Sequence, residues 1–381
     1  MGTPRDGSRA DVLNQHPTAI QRRTLIYAGI GTAAAGHLGA TPLPHKTLVF
    51  PRDAGAHPDS AIEWWYVTGY AMDASATVAF GFQVTFFRSR VPKTQNMQSA
   101  LAARQLVFAH AALTDVKGRK LWHDQRMARS SGAEPGQNAN DRAWTSTQDT
   151  NIQLRDWSLS QDGPDLQARI SANDFSISVT LSISQPVLLQ GENGLSQKGP
   201  DSAQTSHYYS LPHLQVRGEL VLQGKRHAVG AGSTAWLDHE WSQQIMPPQA
   251  VGWDWMGINL FDGSALTAFR LRDKGGNAVW DGGSFRVKDR LFTFQRGEVI
   301  FKPQRSWKSP LSQANYPVEW IVRTPADFYT VRALVDNQEM DSRASTGAIY
   351  WEGLSEVWDS NQRLVGRGYL EMTGYASPMR L

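Results

Sequence analysis

The stretch Glu63-Trp64-Trp65-Tyr66-Val67-Thr68-Gly69-Tyr70, followed at 78–88 by VAFGFQVTFFR, decides the fold class. Both runs are dense in aromatic and β-branched residues, which suit a pleated, half-buried surface. Working outward, LVFAHAALTD (106–115), FSISVTLSI (175–183), 214–222, GWDWMGINL (252–260) and ALTAFRLR (265–272) repeat the pattern. Glycine turns punctuate them at Lys117-Gly118, Asp162-Gly163, Gln223-Gly224, Asp262-Gly263 and Gly275-Gly276. No long window carries a 3.6-residue period, and MQSALAARQ (97–105) is the best helical segment, a short one. The expectation is an all-β chain of antiparallel hairpins that close into barrels or sandwiches.

Two polar stretches, 128–142 and 191–206, read as long loops. The second runs into His207-Tyr208-Tyr209-Ser210 and is expected to form the rim of a site. Pro212 suggests a domain boundary at 212–216, giving domains at 45–214 and 215–381 behind a leader at 1–44. Thr68-Gly69-Tyr70 is echoed by Thr373-Gly374-Tyr375, either as an internal duplication or as two aromatic strands ending at a glycine turn.

The leader has its own composition. Arg22-Arg23 precedes a weakly apolar stretch rich in Ala and Gly that ends at Ala40, the layout of a twin-arginine export signal. That implies a periplasmic or secreted protein with a passing contact to an export system or membrane. An ordinary N-terminal helix is the competing reading. Gly29–Ala34 and Gly230–Ala235 both fit GxGxxA, but neither has the strand-before, helix-after context of a dinucleotide site.

The 381 residues contain 38 Lys+Arg, 35 Asp+Glu, 14 Trp and no Cys. The absence of Cys excludes disulfides, zinc–thiolate sites, iron–sulfur clusters and a cysteine nucleophile. Beyond residue 40 the balance is 34 basic to 33 acidic, with no electrostatic case for nucleic acid. GxSxG, HExxH and Walker A motifs are absent, and no cofactor or metal is expected.

The densest chemistry lies in Ala235-Trp236-Leu237-Asp238-His239-Glu240-Trp241 and Gly252-Trp253-Asp254-Trp255. On a strand, Trp236, Asp238 and Glu240 share one face, and Leu237, His239 and Trp241 the other. Trp253 and Trp255 oppose Asp254 in the same way. A carboxylate among indoles loses solvation, its pKa rises, and it becomes a candidate general acid. Indole faces can stabilise a developing cation. Alternatively, Asp238 and Glu240 bind loop amides or arginines while the tryptophans fill the core.

These blocks resemble a known family. Phe50-Pro51-Arg52-Asp53, Gly55-Ala56-His57-Pro58, Glu63–Gly69, Phe82–Arg88, Tyr208-Tyr209-Ser210, Trp236–Trp241, Gly252–Trp255, Tyr350-Trp351-Glu352-Gly353 and Gly368–Tyr375 are similar, in order, to the AttH-type secreted lipocalin-like proteins. Those proteins are related to the bacterial carotenoid 1,2-hydratases (hydroxyneurosporene synthases). The resemblance implies two consecutive lipocalin-like β-barrel domains around a cavity for apolar molecules. It implies a cofactor-free hydratase, or a related isomerase or cyclase, acting on an isoprenoid-like substrate. The matching acid is Asp238, with His207 or His239 placing water. Trp65, Tyr209, Trp236, Glu240, Trp241, Trp253, Asp254 and Trp255 would line the substrate. The alternative is a non-catalytic periplasmic carrier or chaperone for lipids. The resemblance leaves the oligomeric state open.

Overall fold

A computed structural model describes residues 1–2, 42–99, 101–134 and 137–379. Arg22-Arg23 and the first GxGxxA stretch lie outside the described residues. The second runs from a turn into a strand, with no helix after it.

The architecture is all-β, in two large antiparallel sheets. The first takes β1 (Ile62–Met72), β2 (Val78–Arg90), β3 (Gln105–Asp115), β4 (Lys120–Ser130), β5 (Ala143–Thr145), β6 (Asn151–Leu154), β7 (Trp157–Asp162), β8 (Asp165–Ser171) and β9 (Phe175–Ser182). It also takes β10 (Leu188–Leu189), β11 (Leu195–Gln197), β12 (Thr205–Leu222), β13 (Lys225–Ala228) and β14 (Thr234–Ser242). Its order is β4-β3-β2-β1-β14-β12-β9-β8-β7-β6-β5. The sheet curls into a nearly closed barrel, with Arg126 of β4 lying 4.8 Å over the Trp157 ring of β7.

The second sheet takes β15 (Gly252–Leu260), β16 (Ala265–Arg272), β17 (Ala278–Val287), β18 (Arg290–Phe294) and β19 (Ile300–Pro303). A small ribbon, β20 (Ser306–Lys308) and β21 (Asn315–Pro317), stands apart from it. The sheet then continues with β22 (Glu319–Arg323), β23 (Phe328–Ala333), β24 (Glu339–Ser342), β25 (Ala348–Trp358) and β26 (Leu364–Met372). Its order is β18-β17-β16-β15-β26-β25-β23-β22-β19.

The two sheets share one plan. In each, the first four strands form a meander, the first strand pairs with the last, and the chain returns from there. The duplication therefore lies in topology. The Thr-Gly-Tyr echo does not mark it, because Thr68–Tyr70 sits on a first strand and Thr373–Tyr375 follows a last one.

Strand patterning reports position. In β9, Phe175, Ile177, Val179 and Leu181 are buried while the residues between them are more exposed, as expected of a sheet with one wet face. β1 is buried on both faces. Trp65 and Val67 enter the barrel core, while Tyr66 and Tyr70 join an aromatic layer between the sheets with Trp236, Trp255, Phe269 and Tyr369. That is why EWWY is aromatic at both parities. Gly81 lets the sheets approach, since a Cβ there would stand 2.7 Å from the Tyr369 hydroxyl. Polar pins cross the same layer: Gln190 Nε2 donates to Ser210 Oγ and Thr267 Oγ1, both at 2.9 Å, and Gln190 Oε1 accepts from Ser284 Oγ at 2.8 Å.

Three expectations change. Residue 214 lies inside β12, and the passage between sheets falls between Ser242 and Gly252, so the sheets divide the chain at 243–251 and not at 214/215. Pro212 marks a bulge: the register to β14 slips between Leu211 and Leu214, and His213 takes φ 53°. Proline, lacking an N–H, is tolerated at such a break. Residues 97–105 contain no helix where described; Met97 and Leu101 are exposed at 50% and 56%, and no core faces them. The 128–142 and 191–206 stretches begin or contain strand, since 128–130 belong to β4 and 195–197 form β11.

Candidate functional site

The alternation of β14 sends two sets of side chains to two places. Trp236 joins the layer between the sheets, whereas Leu237 and Trp241 enter the barrel core. Asp238 and Glu240, on the parity of Trp236, line a cavity of about 300 Å³ between the sheets. That volume is at the lower end of small-molecule sites. Trp64, Phe87, Phe108, Trp253, Trp255 and Phe269 stand in its wall.

Asp238 is held by its neighbours in register. Ser210 and Tyr66 stand opposite it on β12 and β1. Its carboxylate accepts hydrogen bonds of 2.6 Å from Ser210 Oγ, Tyr208 Oη and Trp236 Nε1. Trp255 Nε1 of the second sheet donates to the same Tyr208 hydroxyl at 3.1 Å. Burial pushes the Asp238 carboxyl up from 3.8 to about 7, against the pull of those three donors. Glu240 accepts from Ser206 and pairs with Lys198 Nζ at 2.9 Å. Lys198 comes from the 191–206 stretch expected at the rim, and it is buried.

The second sheet adds two more carboxyls to the cavity. Glu371 of β26 accepts from Trp253 Nε1 at 3.0 Å, and Glu352 stands directly opposite it on β25. Burial pushes Glu371 up to about 7, helped by Asp238 and Glu240 and opposed by the Trp253 hydrogen bond. Burial and then the Glu371 charge hold Glu352 well above the usual carboxylate range. Asp238 and Glu371 thus face one apolar space, each able to gain or lose a proton near neutral pH.

The other face of β14 serves a separate, fully buried network inside the barrel. Glu63 accepts from Arg88 Nε at 2.7 Å, from the His57 ring at 2.8 Å and from the His239 ring at 2.9 Å. Burial alone would raise the Glu63 carboxyl, but Arg88 and the two imidazoles outweigh it and hold it well below the usual range. Burial pushes His239 down to about 4. Trp241 stacks on His57 at 3.7 Å, and Trp65 stacks on His239 at 4.5 Å. The ligand atoms of His57, Glu63 and His239 lie within 4.8 Å of one another, a spacing a metal could use. Arg88 already supplies the positive charge there.

A family model described as AttH-like matches residues 41–375. The chain belongs to the AttH-like family. The crystal structure of an AttH candidate from Nitrosomonas europaea is 44% identical, covers 88% of this chain and 99% of its own, and superposes with a TM-score of 0.79. Kievitone hydratase from Nectria haematococca is 14% identical, with 88% and 98% covered and a TM-score of 0.64, and shares the fold. Comparison with curated protein sequences finds no match.

In this AttH-like chain the cavity gathers Asp238, Glu240, Trp253 and Trp255. Trp236 supports it through its hydrogen bond to Asp238. His239, Trp241 and Trp65 belong to the barrel network behind the sheet. His207 and Tyr209 share that side: His207 lies 5.4 Å from Trp241, and the Tyr209 hydroxyl is 3.3 Å from His239 Nδ1. Neither His207 nor His239 can therefore place water beside Asp238, because a strand puts adjacent residues on opposite faces. Asp254 also points away from the cavity; Arg270 Nε at 2.7 Å and the Tyr375 hydroxyl at 2.9 Å hold it. The residues missed are Tyr208, Ser210, Lys198, Glu352 and Glu371. Their parity on Tyr208-Tyr209-Ser210 and Tyr350-Trp351-Glu352 was readable, but which strands would face Asp238 was not.

Proposed function

We propose that this protein is a hydratase (hydro-lyase), or a closely related acid-catalysed isomerase or cyclase, acting on an apolar alkene in the cavity between the sheets. The observation that carries the proposal is Asp238, a buried carboxyl pushed to about 7 in an aromatic cavity. Protonated Asp238 donates its proton to one alkene carbon, and the π pair forms the new C–H bond. The cation left on the other carbon is sheltered by indole and phenol faces. Water adds its lone pair there, and the proton it sheds passes to Glu371 or back to Asp238. Alkene and water are consumed and one alcohol forms, with no change of oxidation state. Kievitone hydratase, named for a hydration, has the same fold, which is compatible with this reading. The chemistry calls for no cofactor.

The experiment is mass spectrometry of the apolar compounds that co-purify with the protein. An alkene together with its hydrated alcohol is the expected pair. A mixed set of unrelated lipids would reject the hydratase in favour of a carrier, a reading that the apolar wall also supports.

We also propose export by the twin-arginine route to the periplasm. Arg22→Lys together with Arg23→Lys is expected to leave the precursor in the cytoplasm, as read by fractionation. Unchanged export would refute this.

A further inference from the structure

The charges of the cavity do not balance. Asp238 and Glu240 enter from the first sheet, Glu352 and Glu371 from the second. Among the described residues, the one ammonium lining it, Lys198, is taken by Glu240 at 2.9 Å. Lys198 also lies 4.6 Å over the Tyr208 ring and 4.4 Å over the Phe269 ring, so its position is filled. The other three carboxyls have only neutral donors. Asp238 has three, Glu371 has the Trp253 N–H, and Glu352, only 2% exposed, has the Tyr66 and Tyr350 hydroxyls nearby, with no well-formed hydrogen bond to its Oε1. Glu352 and Glu371 are also directly opposed across β25 and β26, so that neither ionises readily beside the other. The Tyr66 hydroxyl beside them forms no well-aligned hydrogen bond and leans on Glu352 alone. A buried acceptor without a well-formed bond is costly, and this one lines a cavity walled by aromatic faces.

We infer that the cavity selects for positive charge: an apolar chain ending in an ammonium group binds there in preference to a neutral or anionic molecule of the same length. This rests on the proposed function, because the same carboxyls and ring faces would stabilise a carbocation formed during hydration. An ammonium placed beside Glu352 and Glu371 favours their ionised forms and meets the Trp253 and Trp255 faces, an interaction strengthened by desolvation.

The pH dependence has a definite sign. Asp238 and Glu371 ionise near pH 7, so the cavity becomes more negative between pH 6 and 8. The remaining groups that face them do not reverse this. Lys198 stays paired with Glu240, and burial keeps His110 neutral by pushing it down to about 3. Burial also holds the Tyr66, Tyr208 and Tyr350 phenols well above their ordinary value. A permanent cation therefore binds more tightly as pH rises through this range and expels protons from the carboxyls when it binds.

The test is titration calorimetry of the full-length protein with dodecyltrimethylammonium, dodecanol and dodecanoate, each below its aggregation concentration. Dodecyltrimethylammonium is expected to bind about tenfold or more tighter than dodecanol, with dodecanoate weakest. Repeating the titration in buffers of different ionisation enthalpy should show proton release near pH 7. Glu352→Gln should weaken the ammonium and leave dodecanol unchanged. Equal binding of dodecanol and the ammonium, or tighter dodecanoate, overturns this inference and leaves the proposed function standing. No binding by any of the three overturns both.

Discussion

Asp238→Asn is expected to lower turnover of the co-purified alkene by about a hundred- to ten-thousand-fold, the usual reach of a positioned general acid. Asn keeps the shape and can still accept from Trp236 Nε1, but it has no proton to give. Ligand binding should change little, so kcat should fall while KM holds. Wild-type turnover should also fall as pH rises past about 7, where Asp238 loses its proton. That limb has no counterpart in the Asn variant. An Asn variant with wild-type turnover would remove Asp238 from the chemistry.

The same substitution carries a stability signature of opposite sign. The folded-state value of Asp238, about 7, lies above its ordinary value of 3.8. Its contribution to stability is therefore fully present below pH 3.8 and is lost as pH rises through 7. Above pH 7 the folded protein carries an ionised carboxyl that burial disfavours, at a cost on the order of a few kcal/mol. Asp238→Asn removes that group. The variant should gain stability relative to wild type between pH 4 and 8, measured as urea midpoints at each pH. Loss of function with gain of stability at high pH separates an active carboxyl from one that merely ties the strands together.

Much of this was legible in the sequence, and the limits have a physical cause. Strand periodicity is local, so the all-β class and the division of β14 into two faces followed from residues 234–242 alone. The aromatic parities of EWWYVTGY carried more than a strand assignment, since a strand buried on both faces must sit between two layers. What local pattern cannot encode is which strand lies across a gap. Asp238 and His239 are adjacent in sequence and serve different sites, whereas Asp238 and Glu371 are remote and share one. Asp254, between Trp253 and Trp255, resembled Asp238, two residues after Trp236, yet its parity delivers it to Arg270 and Tyr375. Pro212 looked like a domain boundary because a bulge and a break both tolerate a residue without an N–H. The shared plan of the two sheets was invisible because topology constrains strand order far more than residue identity.

The larger stability effect is expected from Arg88→Met. Arg88 and Glu63 are both fully buried, and the guanidinium is saturated. Its Nε donates to Glu63 at 2.7 Å, Nη1 to Gln105 Oε1 at 2.7 Å, and Nη2 to the His57 and Ser60 carbonyls at 2.7 and 3.0 Å. It ties β2 to the segment before β1 and neutralises the carboxylate at the centre of the network. Removing one partner of a buried pair leaves the other uncompensated, at about 3–5 kcal/mol. The charge has one way to recover. His239, pushed down to about 4 by burial with Arg88 adding to the effect, stands 2.9 Å from Glu63. Without Arg88 its value rises toward the ordinary 6.5 but stays below it, because burial is the larger cause. A folded value below the unfolded one loses stability as pH falls, so Arg88→Met should lose less than wild type on acidification from pH 8 to 5. The double variant Glu63→Gln with Arg88→Met should cost less than the two single losses summed, because no buried charge is left alone. Urea denaturation of the four proteins at pH 5 and 8 measures all three quantities. A loss below about 1 kcal/mol for Arg88→Met, flat with pH, would mean that water reaches Glu63 and that the barrel interior is wetter than its packing implies.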